Sequence, residues 1–309
     1  MRVKAGATTL DRISIFNWTQ IENLWKSIRP WQWIKNIFVF IPLLFSQKLF
    51  ITKDILQIFL VFVLFCLISS SIYLLNDIRD CEQDRQHPRK RHRPLAAGEL
   101  SVKVAVFFMI ALLFLSLIGG ALLREGLGVV LCGYWILNLL YCIWLKHQVI
   151  LDVFVIAAGF VLRVMGGAVA IEVDMNHWLL LCTTLLSLSL GFCKRRHELG
   201  LLEEKAGAHR HVLGEYSPRF LDMMISIVTT STVMSYALYI VSESTVHTFH
   251  TRGLLLTLPF VLYGVCRYLY LVYHKDQGGE PSECLLTDGP LLINLCLWAL
   301  TARVILFWQ

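Results

Sequence analysis

The sequence predicts an all-α protein that crosses a membrane several times, and three observations support this prediction. Of its 309 residues, 56% are hydrophobic and 16% are charged, and the mean hydropathy is +0.62. Soluble domains average about 45–50% apolar and about 25% charged residues, so soluble cores could not enclose this apolar surplus. Apolar runs of spanning length also recur along the chain. We therefore predict a polytopic bundle of about nine transmembrane helices, with polar loops that form a cytoplasmic cap.

The nine predicted spans are the apolar runs that approach the length needed to cross a bilayer. A transmembrane helix needs about 20 mostly apolar residues. The runs are residues 33–50, 55–75, 102–123, 127–144, 150–171, 177–193, 220–241, 253–273 and 289–307. We predict that residues 1–32 form a cytoplasmic N-terminal segment and that residues 33–309 form a single transmembrane domain.

Basic residues predict the orientation of these spans. With nine spans, 21 of the 28 Lys and Arg residues fall on one side, and only Lys48, Lys53, Arg124 and Arg252 fall on the other. Cytoplasmic loops of membrane proteins are enriched in Lys and Arg, so the long polar loops at 76–101 and 194–219 should be cytoplasmic. The net charge of +6 is then explained by topology and phosphate contacts, and we expect no nucleic-acid partner.

An acidic motif directly follows the second predicted span. Asn76, Asp80 and Asp84 are spaced i, i+4 and i+8, and Asp77 lies three residues before Asp80. On a helix these side chains share one face. Oxygen ligands held together in this way suit Mg²⁺, which commonly bridges protein carboxylates to substrate phosphates. A solvated acidic loop is the alternative interpretation, but it would not require this register.

A basic segment follows the acids and contains Lys90, Arg91 and Arg93. These cations could anchor the loop at the cytoplasmic surface, or they could neutralise the negative charge that a metal-bound diphosphate retains.

Three features of this chain together resemble the UbiA-type membrane prenyltransferase superfamily. They are the Asn-Asp-x-x-Asp-x-x-x-Asp pattern at 76–84, the Lys-Arg-x-Arg-Pro sequence at 90–94 and the nine spans. This resemblance implies a helical membrane enzyme that binds a diphosphate substrate through Mg²⁺ at the metal-ligand candidates Asn76, Asp77, Asp80 and Asp84. It also implies a cavity open to the cytoplasm and to lipid.

The loop after the sixth span indicates a branch of that superfamily. Aromatic prenyltransferases carry a second Asp-rich motif there, whereas residues 194–217 of this chain contain no Asp. The Lys194-Arg195-x-x-Glu198 element and the later Leu213-x-x-Tyr216 element resemble the decaprenyl-phosphate phosphoribosyltransferase branch. That resemblance implies transfer of 5-phosphoribose from phosphoribosyl diphosphate (PRPP) to a polyprenyl phosphate, with release of diphosphate, in cell-envelope biosynthesis.

Candidate substrate contacts are mostly cations near the cytoplasmic loops, joined by one carboxylate and one phenol. They are Lys35, Lys90, Arg91, Arg93, Lys146, Arg163, Lys194, Arg195, Glu198 and Tyr216. We assign no catalytic acid or base, because a phosphate monoester has a second pKa of about 6 and is largely ionised near pH 7.

Arg163 lies inside the fifth predicted span and should face the protein interior, because an arginine facing lipid is costly. Two interpretations stay open for it. It could bind a substrate phosphate, or it could form a structural pair with a buried acid. Asp152 is 11 residues away, three helical turns, so the two side chains share a face but cannot touch.

Two other functions also stay open at this point. One is a prenyltransferase that moves a polyprenyl group from its diphosphate to an aromatic acceptor, and the other is a non-catalytic bundle that binds or transports lipid. In each case we expect an integral protein of a bacterial or archaeal cell membrane, and for the enzymes an active site that faces the cytoplasm. The expected partners are polyprenyl phosphate and PRPP, with Mg²⁺ as cofactor.

Overall fold

The fold is described from a computed structural model that covers residues 18–46, 48, 51–88, 90–175, 177–203, 211–275, 284 and 287–307. Within these residues every regular element is a helix, which confirms the predicted all-α class. The described residues form twelve α-helices in chain order. They are α1 (Trp18–Ile28), α2 (Ile41–Leu44), α3 (Thr52–Arg79), α4 (Cys81–Gln86), α5 (Val102–Leu123), α6 (Glu125–Ile143), α7 (Leu151–Ala170), α8 (His177–Glu203), α9 (Pro218–Val241), α10 (Glu243–Phe249), α11 (Leu258–His274) and α12 (Gly289–Phe307).

Eight segments of the described chain are helical over a length, and with a composition, that suits a membrane span. They correspond to the second through ninth predicted spans. Many of their large apolar side chains are exposed, including Phe107, Leu122 and Val129. Exposed apolar surface on this scale requires lipid rather than water as its solvent, so the protein is an integral membrane protein.

The first predicted span, 33–50, is built differently from the other eight. A 3₁₀ helix of 11 residues covers Pro30–Phe40, and the four-residue α2 follows it with Pro42 in its first turn. Proline has no backbone N–H, so it cannot continue the hydrogen bonds of a preceding helix. Because a 3₁₀ helix rises about 2.0 Å per residue and an α-helix about 1.5 Å, the two segments together would extend roughly 28 Å, close to the hydrocarbon thickness of about 30 Å.

The chain divides into two compact units. Unit 1 comprises Met1–Trp33 and Cys66–Leu115, and unit 2 comprises Ile34–Phe65 and Ser116–Gln309. The core of unit 1 is formed by buried residues of α3, α5 and the loop between α4 and α5, namely Leu74, Leu95, Leu100 and Ala105. The inner face of α1 packs against this core and thereby holds the start of the 3₁₀ segment beside the last turns of α3.

The core of unit 2 is formed mainly by α7, α8, α9 and α11, and it contains Val153, Phe192, Leu221 and Leu271. Helix α7 also contacts α2 and, at Gly167, the end of the preceding 3₁₀ segment. At Gly167 the contact is so close that a Cβ atom would lie 2.1 Å from the carbonyl oxygen of Val39. Small residues allow membrane helices to approach in this way.

This contact predicts that Gly167→Ala weakens the packing of the first span against α7. Inserting a methyl group into a closely packed contact costs about 1–3 kcal/mol, so the variant should unfold at a lower temperature than the wild type in detergent. Gly133→Ala is the matched control, because a Cβ atom on this α6 glycine would meet no atom within 4 Å. Equal melting temperatures for the two variants would contradict the prediction.

Candidate active site

The acidic motif lies where α3 ends and α4 begins. Asn76 and Asp77 are in the last turn of α3, Asp80 joins the two helices, and Asp84 is in α4. The Asp80 N–H donates to the Asn76 carbonyl at 2.9 Å, and the Asp84 N–H donates to the Asp80 carbonyl at 2.8 Å. These i to i−4 bonds continue the helical register across the junction, so the spacing predicted from the sequence is present in the structure.

Two arginines hold the buried carboxylates of this motif. Arg93 Nη1 lies 3.0 Å from Asp77 Oδ1 and 2.6 Å from Asp84 Oδ2, and Arg29 Nη2 also bonds to Asp77 Oδ1. The side chains of Asp77 and Asp84 are only 2% and 4% exposed, whereas those of Arg29 and Arg93 are 19% and 24% exposed. The arginine side chains are therefore more accessible to solvent than the carboxylates to which they bond.

The donor set of this motif fits a magnesium ion that is shared with a substrate. Asp77 Oδ1 and Asp84 Oδ2 both accept from Arg93 Nη1, at 3.0 Å and 2.6 Å, so the two carboxylate oxygens lie close together. In the part of the chain that the structure describes, no group of three or more His, Cys, Asp or Glu residues could hold a metal alone. Mg²⁺ is commonly held by one or two carboxylates plus substrate phosphates and water, which matches a pair of buried aspartates with Asn76 and Asp80 beside them.

The other predicted residues of this loop lie close to its surface. A 3₁₀ turn covers Lys90–His92. Lys90 is half-buried, and its backbone N–H donates to His87 Nδ1 at 3.2 Å. Arg91 is exposed, and its Nε lies 3.4 Å from His92 Nε2.

Unit 2 contains a second polar centre, which is built around Arg195 of α8. The Arg195 side chain is 1% exposed and donates to Asp152 Oδ2 at 2.6 Å, to Glu198 Oε2 at 2.5 Å and to the Tyr141 hydroxyl at 3.3 Å. All three donating nitrogens of the guanidinium are thus engaged inside the protein. Arg195 and Glu198 were both predicted to contact substrate, and in the structure they bond to each other.

Tyr216 completes this centre. Its hydroxyl donates to Asp152 Oδ1 at 2.8 Å and accepts from the Ile150 N–H at 2.6 Å. Burial raises the pKa of the Tyr216 phenol, so the hydroxyl keeps the proton that it donates to Asp152. Ile150 has a φ of +70°, a conformation that is unfavourable for a β-branched residue. The bond to Tyr216 helps to hold this backbone turn, which leads into α7.

Two of the three predicted lysines, Lys146 and Lys194, lie on segments close in sequence to this centre. Lys146 is 9% exposed in the 3₁₀ turn Leu145–His147, and Lys194 precedes Arg195 on α8 and is half-buried. Lys35 is half-buried on the 3₁₀ segment of the first span. Each of these lysines has interactions inside the protein.

Arg163 is buried in α7 among neutral groups. It donates to Asn36 Oδ1 at 2.8 Å, to the Gly159 carbonyl at 2.9 Å and to the Tyr134 hydroxyl at 2.7 Å. Its guanidinium also lies 4.8 Å from the centre of the Tyr134 ring and 5.2 Å from that of Phe160. The structure shows no structural pair between Arg163 and Asp152, because Asp152 bonds to Arg195 instead.

Three residues of the two polar centres were not among the predicted site residues: Arg29, Tyr141 and Asp152. Asp152 carried the clearest signal, because an acid in the first turn of a membrane span requires a partner. Its actual partner is 43 positions away in the sequence, a separation that no local pattern reveals.

Comparison with known proteins identifies relatives over most of the chain. The profile of the "UbiA prenyltransferase family" matches residues 37–284. A decaprenyl-phosphate phosphoribosyltransferase of Corynebacterium glutamicum is 37% identical over 88% of this chain and 83% of that protein. The enzymes of the same name from Mycolicibacterium smegmatis and Mycobacterium tuberculosis are 33% and 32% identical, and the alignments cover 94% and 91% of those proteins.

Solved structures have the same fold at much lower identity. A UbiA homolog from Archaeoglobus fulgidus, bound to GPP and Mg²⁺, matches with a TM-score of 0.67 and 17% identity over 92% of this chain and 99% of that one. A structure of digeranylgeranylglyceryl phosphate synthase matches with a TM-score of 0.66 and 20% identity over 94% of this chain. The profile match and the relatives above 30% identity together show that this chain belongs to the UbiA prenyltransferase family.

Proposed function

We propose that this protein is a pentosyltransferase that moves 5-phosphoribose from PRPP to a polyprenyl phosphate and releases diphosphate in a Mg²⁺-dependent reaction. The observation that carries the proposal is the similarity to curated decaprenyl-phosphate phosphoribosyltransferases at 32–37% identity along nearly the whole chain. The chemistry of the two polar centres supports it.

The acidic motif supports a diphosphate leaving group. Asp77, Asp80 and Asp84, with Asn76, would hold Mg²⁺, and the metal would supply electrostatic stabilisation of the negative charge that develops on the diphosphate as the C1–O bond of the ribose breaks. Arg29 and Arg93 already place guanidinium groups at this site. Arginine matches phosphate oxygens well because it donates from a planar fork.

The composition of residues 194–198 in unit 2 supports a phosphorylated sugar rather than a second metal ion. Where aromatic prenyltransferases place Asp residues, this chain has Lys194, Arg195 and Glu198. Because Arg195 is enclosed by Asp152, Glu198 and Tyr141, we assign it to positioning and keep Lys146 and Lys194 as candidates for phosphate contact. The oxygen of the acceptor phosphate attacks C1 and the leaving diphosphate takes the electron pair, so no proton transfer to the protein is needed.

We place the reaction at the cytoplasmic face of a prokaryotic cell membrane. Residues 76–93 and 194–216 carry most of the two polar centres, and both segments belong to the Lys- and Arg-rich side of the predicted topology. PRPP is a water-soluble, strongly anionic donor, whereas the acceptor is anchored in lipid. An enzyme at this surface can reach both substrates.

The substrate prediction is tested with purified protein in mixed micelles. We expect labelled PRPP and polyprenyl phosphate to yield a lipid-linked phosphoribose, and we expect Lys194→Ala to lower this transfer about tenfold to a hundredfold, since a charge-assisted contact is worth about 1.5–3 kcal/mol. Polyprenyl diphosphate with 4-hydroxybenzoate should give no prenylated product. Prenylation of that acceptor, with no use of PRPP, would replace the proposal by an aromatic prenyltransferase.

The metal prediction concerns Asp84. Asp84→Asn removes one buried charge of the acidic motif, so turnover at saturating Mg²⁺ should fall about 10²–10³-fold, the usual effect of losing one preorganised electrostatic contact. Glu82→Gln is the control, because Glu82 is an exposed acid on the same helix that pairs with Arg85. Similar turnover in the two variants would exclude Asp84 from the metal site.

The topology prediction uses single cysteines in a variant that lacks the nine native ones. Gln83→Cys and Glu215→Cys should react with an impermeant thiol reagent only after the cells are permeabilised, because both exposed positions lie on the basic side. His247→Cys, an exposed position in α10, should react in intact cells. Labelling of positions 83 and 215 from opposite sides would overturn the predicted orientation.

A further inference from the structure

Arg29 and Arg93 bond to the buried aspartates that would hold a metal ion. Asp77 Oδ1 accepts from both arginines, and Asp84 Oδ2 accepts from Arg93 at 2.6 Å. Two buried carboxylates are thus matched by two guanidinium groups. A divalent cation that entered alone and left the arginines in place would be repelled by their positive charges. If it displaced the arginines instead, their guanidinium groups would be left without an anionic partner.

We propose that Arg29 and Arg93 act as substitute cations in the metal-free site and move to the donor's diphosphate when the metal enters. The site therefore selects the complex of metal and diphosphate over either component alone. This inference rests on the proposed function, because it concerns the same diphosphate, and it assigns to Arg29 a role in donor selection.

Burial supports this exchange of partners. The carboxylates are almost fully enclosed, while the side chains of both arginines are partly exposed. Anionic oxygens that arrive from solvent can therefore reach the arginine side chains more readily than the aspartates. Arg29 also lies over the ring of Tyr73, with its guanidinium carbon 5.3 Å from the ring centre. This contact does not depend on Asp77 and can keep the side chain near the site after the ion pair opens.

The physical reason for the selection is charge compensation. A buried carboxylate that loses its partner is strongly destabilised, so a guanidinium can leave only when another cation replaces it. A guanidinium that leaves also needs an anion of its own. Metal and diphosphate together meet both needs, and each component alone meets only one. Metal and diphosphate must then strengthen each other's binding by the same factor, since such coupling is reciprocal.

The test compares two probes, Mn²⁺ alone and preformed Mn²⁺–diphosphate, and measures their dissociation constants with the full-length protein in detergent by electron paramagnetic resonance. For Arg93→Gln we expect opposite changes. Free Mn²⁺ should bind at least about fivefold more tightly than to the wild type, and Mn²⁺–diphosphate at least about fivefold more weakly, within the usual range of coupling between sites. Arg29→Gln should change both constants in the same directions.

Arg85→Gln is the matched control. Arg85 belongs to the same loop region but bonds to Glu82 and to the Ala96 carbonyl. Its removal deletes the same charge without opening the aspartates, so both constants should stay within about twofold, as expected for an exposed pair. Circular dichroism and thermal melting show which variants are folded. If Arg93→Gln does not fold, Arg29→Gln provides the same comparison.

The outcomes separate the inference from the proposed function. Equal effects of Arg93→Gln and Arg85→Gln on free Mn²⁺ would overturn the inference, because simple charge removal would then explain both. Tighter or unchanged binding of Mn²⁺–diphosphate by Arg93→Gln and Arg29→Gln would also overturn it, although the metal site itself would stand. Failure of the wild type to bind Mn²⁺–diphosphate would overturn the proposed donor site and the exchange together, whereas opposite changes in the two constants support both.

Discussion

A carboxylate inside an apolar bundle is stable only when a cation and hydrogen bonds compensate its charge, and each unit of this protein meets that requirement with arginine. In unit 1, Arg93 joins Asp77 to Asp84 and thereby ties the end of α3 to α4 and to the loop that follows. In unit 2, Arg195 bonds to Asp152 across the α7–α8 contact. Each pair holds a segment that carries candidate substrate contacts, with Lys90 and Arg91 beside Arg93 in unit 1 and Lys194 beside Arg195 in unit 2.

The arginine–aspartate pairs of the two units differ in how far their arginines are exposed. Arg195 is enclosed, and Asp152 accepts from both Arg195 and Tyr216, so this centre is complete without a ligand. The aspartates of unit 1 are enclosed as well, but their arginines are partly exposed. A closed pair suits a structural role, because its geometry cannot change without exposing a buried charge. The partly exposed arginines of unit 1 are compatible with the exchange of partners that we propose for this site.

The comparisons with solved structures indicate that the helices, which form the fold, can be kept while the residues that carry the chemistry change. Structures only 17–20% identical to this chain have the same fold, because a membrane bundle needs apolar faces and small contact residues rather than particular side chains. Chemistry depends on far fewer positions. Lys194, Arg195 and Glu198 all lie near the end of α8, so a few positions of one helix set the charge of this segment.

The sequence by itself determined the membrane class, the positions of eight long helices and the register of the acidic motif, because hydropathy and i, i+4 spacing are local properties of the chain. Only the tertiary structure decided which charged groups pair with each other. Arg163 bonds to Asn36 across 127 positions, and Arg29 bonds to Asp77 across 48. The 3₁₀ form of the first span also escaped prediction, because hydropathy records that a segment is apolar but not how its backbone is wound. Long-range pairing and backbone geometry arise from packing, so the helices are encoded locally while the partners of their charges are not.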